Sequence, residues 1–262
     1  VVVLALGACG QTGPTEGSPS TDPGTEPSQA TQEKVINVGI YRGFNGLDPA
    51  VYEGEPETMA TTMMFDRLVC VDRDAKYHPF LAKSWEVSDD GTVWTFHLRD
   101  DVVFHDGTPF NAEAVKFHLD RAVDPATKSE FAAALLAPYE SSEVVDEFTI
   151  KIVLSSPYGP FLDVLSSGYL GIPSPTAVKQ WGDDFENHLV GSGPFKFVEW
   201  ERQTHLILEK NPDYKWGPAC AENQGPPHAD KLVFKFLPES ETREALFDLG
   251  KEVNVITAPT SA

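Results

Sequence analysis

The chain has 262 residues, of which 41% are hydrophobic and 23% are charged, as in ordinary soluble globular proteins. Twenty Lys and Arg residues stand against forty Asp and Glu residues, so the formal net charge is −20. A chain this acidic, without a basic stripe, repels phosphate backbones, which argues against nucleic acid as a partner.

The first nine residues resemble the end of a lipoprotein signal peptide. Val1 to Ala8 are small and apolar, but they are too few to span a bilayer as a helix. Leu6-Gly7-Ala8-Cys9 resembles a lipobox, in which the peptide is cut before the cysteine and the thiol carries a diacylglyceryl group. Residues 1–9 are therefore expected to be a signal-peptide remnant and lipobox, with Cys9 as the lipidation site. The alternative is an apolar N-terminus with a chance cysteine.

Residues 10–34 are expected to be a disordered tether. Sixteen of the 24 residues from Gly10 to Glu33 are Gly, Pro, Ser or Thr, and none is aromatic. Such a segment cannot bury enough apolar surface to offset its ordering entropy. Behind a lipid anchor, it would let a folded domain reorient freely at a membrane.

The rest of the sequence mixes strand and helix patterns. The predicted elements, in chain order, are a strand at 35–40, a helix at 57–68, a hairpin within 85–100, a helix capped by Asn111, a strand at 148–154, a helix at 161–165, a hairpin of 195–200 and 206–210, and a strand, helix and strand at 232–237, 241–249 and 253–256. The last three form a βαβ unit, which implies a parallel strand pair. The predicted fold class is therefore mixed α/β.

Two cysteines remain once Cys9 is lipidated. Cys70 lies in an apolar run, so its expected role is that of a small buried hydrophobic side chain. A disulfide between Cys70 and Cys220 is the alternative, which spacing alone cannot establish.

Motifs for catalysis, phosphate binding and metal binding are missing from the sequence. No glycine-rich loop ends in Gly-Lys-Ser/Thr, and Gly191-Ser192-Gly193-Pro194 lacks the spacing of a nucleophile elbow, so we expect a tight turn there. None of the seven histidines has the close spacing of a zinc site. The chain is therefore not expected to be an enzyme, or to hold a cofactor or a metal ion.

Three stretches of the sequence, together with Leu47-Asp48-Pro49, resemble one protein family. They are Leu81-Ala82-Lys83-Ser84-Trp85-Glu86-Val87-Ser88-Asp89-Asp90-Gly91 with Phe104-His105-Asp106-Gly107-Thr108-Pro109-Phe110, Gly191-Ser192-Gly193-Pro194-Phe195 with Asn211-Pro212-Asp213-Tyr214, and Asp230-Lys231-Leu232-Val233-Phe234. The set covers residues 35–256 and is similar to the peptide- and nickel-type solute-binding proteins of ABC transporters, bacterial extracellular family 5.

This resemblance implies a type II periplasmic-binding-protein-like fold, in which two lobes close around a deep cleft. It implies that residues 35–47 and 190–262 form the main sheet domain of the first lobe, and that residues 48–189 form an inserted domain. Family chains continue into a second lobe that supplies much of the ligand contact. That lobe is absent from this sequence, so the chain is expected to be a fragment.

The function implied by the resemblance is capture of an oligopeptide or another small solute outside the cytoplasm. The partners would be ABC permease subunits and, through the lipid anchor, the bacterial cell membrane. Nickel, haem, glutathione and oligosaccharides are alternative ligands within the family. An exported hydrolase and a structural surface lipoprotein are the rivals from other classes, although the sequence shows neither a catalytic motif nor repeats.

Ligand-binding residues are expected beyond the carboxyl end of the first strand, because ligands of open α/β sheets sit there. Arg42, Gly43, Phe44 and Asn45 follow that end directly, and Tyr169 is a second candidate. An ordinary surface loop is the alternative for these residues.

Overall fold

The structure, a computed structural model, describes residues 33–52, 54–250 and 252–257. The lipobox with Cys9 and nearly all of the expected tether lie outside these described residues, so both stay predictions. Within the described ranges, no helix combines the length and the apolar character that crossing a membrane requires.

The described residues contain eleven strands in three sheets, together with six α-helices. The strands are β1 (Val35–Ile40), β2 (Val69–Val71), β3 (Tyr77–Pro79), β4 (Ala82–Val87), β5 (Val93–Leu98), β6 (Tyr139–Asp146), β7 (Thr149–Leu154), β8 (Phe195–Glu201), β9 (His205–Lys210), β10 (Lys231–Phe236) and β11 (Val255–Ile256). The helices are α1 (Glu55–Met64), α2 (Ala112–Val123), α3 (Phe131–Leu135), α4 (Phe161–Ser166), α5 (Pro175–Trp181) and α6 (Ser240–Asp248). The predicted mixed α/β class is confirmed.

The largest sheet has the strand order β11-β1-β10-β9-β8. β1 pairs in parallel with both β10 and β11, so Val38 lies opposite Phe234 on one side and Val255 on the other. The predicted parallel relation of β10 and β11 is confirmed, but β1 separates them. Val38 and Ile40 are 6% and 1% exposed, and a strand with buried side chains fits the interior of a sheet better than its edge.

A four-stranded antiparallel sheet has the order β4-β5-β7-β6, and α2 contacts β6 and β7. The Asn111 side chain accepts a hydrogen bond from the Ala114 N–H at 3.1 Å, which confirms the predicted helix cap. β6 was missed by the sequence analysis, because polar residues occupy most of its positions. Such a composition suits an edge strand, which has only one neighbour.

Helix α1 ends at Met64, four residues before the predicted end. Phe65 has an extended backbone, and the Met64 carbonyl accepts the N–H of Gly193 at 2.8 Å. A Cβ atom at Gly193 would lie 2.5 Å from the Met63 carbonyl oxygen, so this approach requires glycine. The bend at residues 192–194 confirms the predicted turn, and Ser192 is completely buried within it.

Cys70 of β2 forms a disulfide with Cys220, which lies between β9 and β10. The two Cα atoms are 6.3 Å apart. Cys70 is buried as expected, but the favoured interpretation of an unpaired side chain is wrong. The two cysteines are 150 residues apart in sequence, so only the folded chain brings them together.

Two hydrophobic cores lie within the described residues. One contains Phe96, Phe104 and Trp216, and the other contains Ile40 and Phe234. The expected core aromatics Trp94, Phe96 and Phe104 are buried, and Trp85 packs at the margin of the same core. The division into residues 35–47 with 190–262 and residues 48–189 stays a prediction.

Candidate functional site

The loop that follows β1 is fastened to the start of α1 by one buried carboxylate. Glu57, in the first turn of α1, is 0% exposed. Arg42 Nη1 donates to Glu57 Oε1 at 2.6 Å, and Arg42 Nη2 donates to Oε2 at 2.8 Å, so the guanidinium pairs with both oxygens. These hydrogen bonds from Arg42 to Glu57 raise the pKa of Arg42 above its ordinary value.

The same carboxylate also holds the loop backbone. The N–H of Asn45 donates to Glu57 Oε1 at 2.9 Å, and Arg42 Nη1 donates to the Gly43 carbonyl at 3.2 Å. The Asn45 side chain is exposed, and the Arg42 side chain is 32% exposed. Arg42 and Asn45 therefore present polar groups to solvent from a fixed loop.

Gly43 and Phe44 face the interior of the protein. Phe44 is 4% exposed and packs edge-to-face against Trp200 and Phe234, with ring centroids 6.4 and 5.8 Å away. A Cβ atom at Gly43 would lie 2.7 Å from Gln203 Oε1. Both residues support the loop from the protein interior, and their role in ligand binding stays a prediction.

Tyr169 lies in a stack of three aromatic rings beside the start of α1. Its ring centroid is 4.7 Å from that of Tyr52 and 5.5 Å from that of Phe131. The Tyr169 hydroxyl accepts a hydrogen bond from the N–H of Gly54, the residue before α1, at 3.3 Å. Arg42, Asn45 and Tyr169 are therefore all tied to the first turn of α1 or the residue before it, although 115 residues separate Gly54 from Tyr169.

A surface cavity of about 270 Å³ opens beside this loop, lined by Asn45, Gly46, Val51, Tyr52 and Glu186. Glu186 accepts a hydrogen bond from the Leu47 N–H at 3.1 Å, so it holds the far end of the loop. A carboxylate, an amide and an aromatic ring therefore line the same cavity, and such a combination of polar and apolar groups can orient a small polar ligand.

No pattern in the sequence indicated Glu57, Tyr52 or Glu186 as residues of this site. Glu57 occupies a position where an acidic residue ordinarily interacts with the helix dipole at the surface. Its burial depends on Arg42, which lies 15 residues earlier, and no local pattern reveals such a pair. Within the described ranges, no group of three or more His, Cys, Asp or Glu residues is arranged to hold a metal ion.

Comparison with known proteins places this chain among solute-binding proteins. The sequence profile described as bacterial extracellular solute-binding proteins, family 5, Middle, matches residues 76–262. The glutathione-binding protein GsiB of Pectobacterium atrosepticum is 33% identical over 225 residues, which cover 86% of this chain and 42% of that protein. The chain thus spans less than half the length of this curated relative.

Two solved structures have the same fold over most of the chain. The ABC transporter-associated periplasmic binding protein DppA from Helicobacter pylori, in complex with peptide STSA, is 30% identical with a TM-score of 0.73, covering 86% of this chain and 46% of that one. The binding protein MoaA from A. tumefaciens R10, in complex with mannopinic acid, is 27% identical with a TM-score of 0.77, covering 86% and 45%. The expected type II periplasmic-binding-protein-like fold is confirmed, and this chain corresponds to part of it.

Proposed function

The chain belongs to the bacterial extracellular solute-binding proteins of family 5, and from this membership we propose that the full-length protein captures short peptides for an ABC importer. The protein binds the peptide outside the cytoplasm and delivers it to the permease subunits without changing it chemically. Glutathione, itself a tripeptide, is included in this class, and the 33% identity to GsiB supports it. The likeness to DppA in complex with peptide STSA supports the wider peptide class.

The observation that carries the proposal is the fixed polar loop at the carboxyl end of β1. A peptide has amides along its backbone, and it needs donors and acceptors that are already in position. Glu57 holds Arg42 and the Asn45 backbone, so the exposed amide of Asn45 is oriented before any ligand arrives. The partly exposed Tyr169 ring adds an apolar face to the proposed binding surface. Gly43 and Phe44 support this surface from the protein interior.

We also propose that residues 35–47 and 190–262 form the main sheet domain of one lobe, with residues 48–189 inserted into it. One hydrophobic core draws on β1, β8, β9 and β10 together with Ala60, Met64 and several of residues 177–189, and the other draws mainly on residues 68–172 with Tyr214 and Trp216. Each core is therefore shared between the two proposed domains, and the division rests on the family resemblance. The cleft would close when the second lobe approaches the loop after β1.

We expect Asn45→Ala to weaken peptide binding by the full-length protein about tenfold, because losing one hydrogen bond in a closed site costs about 1.4 kcal/mol. The measurement is calorimetric titration with the tetrapeptide Ser-Thr-Ser-Ala and, separately, with glutathione. Asn37→Ala is the matched control, since Asn37 lies within β1, away from the loop. Equal affinities of the two variants would show that the loop is not part of the binding site.

Cleavage of the peptide in a mass-spectrometric time course would place the protein among hydrolases.

We propose in addition that the full-length protein is held at the membrane through a lipid on Cys9. The sequence Leu6-Gly7-Ala8-Cys9 and the Gly-, Pro- and Ser-rich segment after it support this proposal. Cys9→Ala should abolish labelling by a radioactive fatty acid and shift the protein from the membrane to the soluble fraction. Cys220→Ser, which removes a cysteine elsewhere, should keep the label. Membrane retention of unlabelled Cys9→Ala protein would refute the anchor.

A further inference from the structure

A second cavity lies at the opposite end of α1 from Arg42. Its volume is about 350 Å³, and it opens between the last turn of α1 and the segment that joins β9 to β10. Most of its lining is apolar, including Met63, Phe80 and Phe195, and Arg67 is the one basic residue that lines it. Nothing in the proposed peptide site uses this cavity.

The guanidinium of Arg67 forms no hydrogen bond or ion pair within the described residues, although the carboxylate of Asp66 attracts it electrostatically. Its Nε atom is buried and has no hydrogen-bond partner there, and the side chain enters no ion pair in that part of the chain. The ring of Phe80 lies beside it, with its centroid 5.9 Å from the guanidinium carbon. Burial lowers the pKa of Arg67, because the cation has lost much of its water. Burying a charged group without a hydrogen-bonded partner costs free energy, so we expect Arg67 to be paired with an anionic group in another state of the protein.

The neighbouring carboxylate of Asp66, which also lines the cavity, attracts Arg67 electrostatically but forms no hydrogen bond or ion pair with it. Its oxygens accept hydrogen bonds from Ser192 Oγ and Trp216 Nε1, both at 3.0 Å, and from the Tyr214 hydroxyl at 3.3 Å. These three donors satisfy Asp66 inside the protein. The Arg67 donors therefore remain available to a group that enters the cavity.

The cavity wall formed by the segment between β9 and β10 is held in place. Trp216 donates to Asp66, the N–H of Ala219 donates to the Pro79 carbonyl at 3.1 Å, and the disulfide joins Cys220 to Cys70. Cavity-lining residues Pro218 and Ala221 stand directly beside these attachments. A wall fixed in this way keeps the cavity formed in the absence of an occupant, which is typical of small-molecule sites.

We propose that this cavity binds a small organic anion, whose carboxylate pairs with Arg67 and whose apolar part lies against Phe80 and Phe195. A planar carboxylate matches the fork of a guanidinium and can accept two parallel hydrogen bonds from it. The apolar lining favours an acid with a hydrocarbon or aromatic portion over a bare inorganic ion.

Calorimetric titration of the full-length protein with sodium benzoate tests the proposal, with benzamide as the uncharged comparison. Benzoate should bind at least about tenfold more tightly than benzamide, because hydrogen bonds to a charged group are stronger than neutral ones. Arg67→Met should reduce benzoate affinity about tenfold or more while leaving benzamide affinity unchanged. Arg67→Lys keeps the charge but loses the forked guanidinium, so its benzoate affinity should lie between those of the wild type and Arg67→Met.

Arg73→Met is the matched control, because Arg73 is an exposed arginine in the turn between β2 and β3. It should leave the affinity for benzoate unchanged, and Asn45→Ala in the peptide loop should do the same. Benzoate binding that survives Arg67→Met would overturn the proposal. Absence of benzoate binding to the wild type would also overturn it. This includes the case in which a carboxylate of the protein itself fills the cavity, which a lower melting temperature of Arg67→Met would indicate.

Discussion

Breaking the disulfide between Cys70 and Cys220 should reduce the free energy of unfolding by about 3–5 kcal/mol. The bond closes a loop of 150 residues, and a cross-link over such a length removes about 5 kcal/mol of chain entropy from the unfolded state at most. Cys220→Ser is the appropriate variant, because Cys220 is exposed and serine leaves no cavity, whereas Cys70 is buried in a core. Urea titration of the purified protein under oxidising conditions measures the difference.

Dithiothreitol provides the internal control for this experiment. The reductant should lower the urea midpoint of the wild type to that of Cys220→Ser and should have no effect on the variant itself. The segment between β9 and β10 should become more susceptible to proteolysis in both reduced forms, since the disulfide is one of its attachments. An unchanged wild-type midpoint in dithiothreitol would show that the two cysteines are not bonded in solution.

Acid should destabilise the protein through His118. The free energy of unfolding should fall between pH 7 and pH 5, and replacing His118 should make this fall about 2 kcal/mol smaller. His118 is 1% exposed, and neither ring nitrogen has a hydrogen-bond partner among the described residues. Burial, reinforced by the positive charge of Arg121, lowers the pKa of His118 to about 4. The nearby carboxylate of Asp48 acts in the opposite direction, but it is paired with Arg121.

The sign follows from the two protonation states. The unfolded histidine takes up a proton near pH 6.5, whereas the folded one does so only near pH 4. The stability that His118 contributes is therefore complete above pH 6.5 and is lost as the pH falls towards 4, by about 1.4 kcal/mol per pH unit. His105, buried against the Gly193 carbonyl with its pKa also lowered to about 4, adds a loss of the same direction.

His118→Leu is the test, since leucine is of similar size and needs no hydrogen bond in the interior of α2. Its unfolding free energy at pH 7 should be within about 1.5 kcal/mol of the wild type, and it should decline less at pH 5. His228→Leu, which alters an exposed loop histidine, should follow the wild-type profile. Burial raises the pKa of Asp66 to about 6, which favours the folded state in acid, but this contribution cancels in the comparison of variants. Parallel pH profiles for all three proteins would contradict the prediction.

Elements with a strong local pattern were predicted correctly from the sequence. β5 places Trp94, Phe96 and Leu98 on one buried face, and α2 begins at Asn111 with the expected side-chain cap. Both follow from interactions within a few residues of each other, and such interactions are visible as periodicity. β6 and the early end of α1 were not predicted, because each depends on a distant neighbour. The Met64 carbonyl accepts a hydrogen bond from the Gly193 N–H, and the strand β6 is hydrogen-bonded to β7.

The position of the candidate site, after β1, stays a prediction, and its side-chain arrangement was not foreseen from the sequence. Its place after β1 follows from the rule that ligands meet the carboxyl ends of parallel strands, and the pairing of β1 with β10 and β11 satisfies the premise of that rule. The sequence did not indicate that Phe44 would pack into a core, or that Glu57 would hold the loop. Side-chain burial depends on what other segments cover, and a local window contains no information about them.

The sequence by itself determined the elements with a strong local pattern, the two predicted hairpins, the helix cap and the family resemblance, because each depends on short-range spacing or on contiguous motifs. Only the tertiary structure decided the central position of β1, the bond between Cys70 and Cys220, and the pairing of Arg42 with Glu57. It also decided that Arg67 would be partly buried without a hydrogen bond or ion pair among the described residues. These features join residues separated by 15 to more than 200 positions, and only the packing of the whole chain brings such residues into contact.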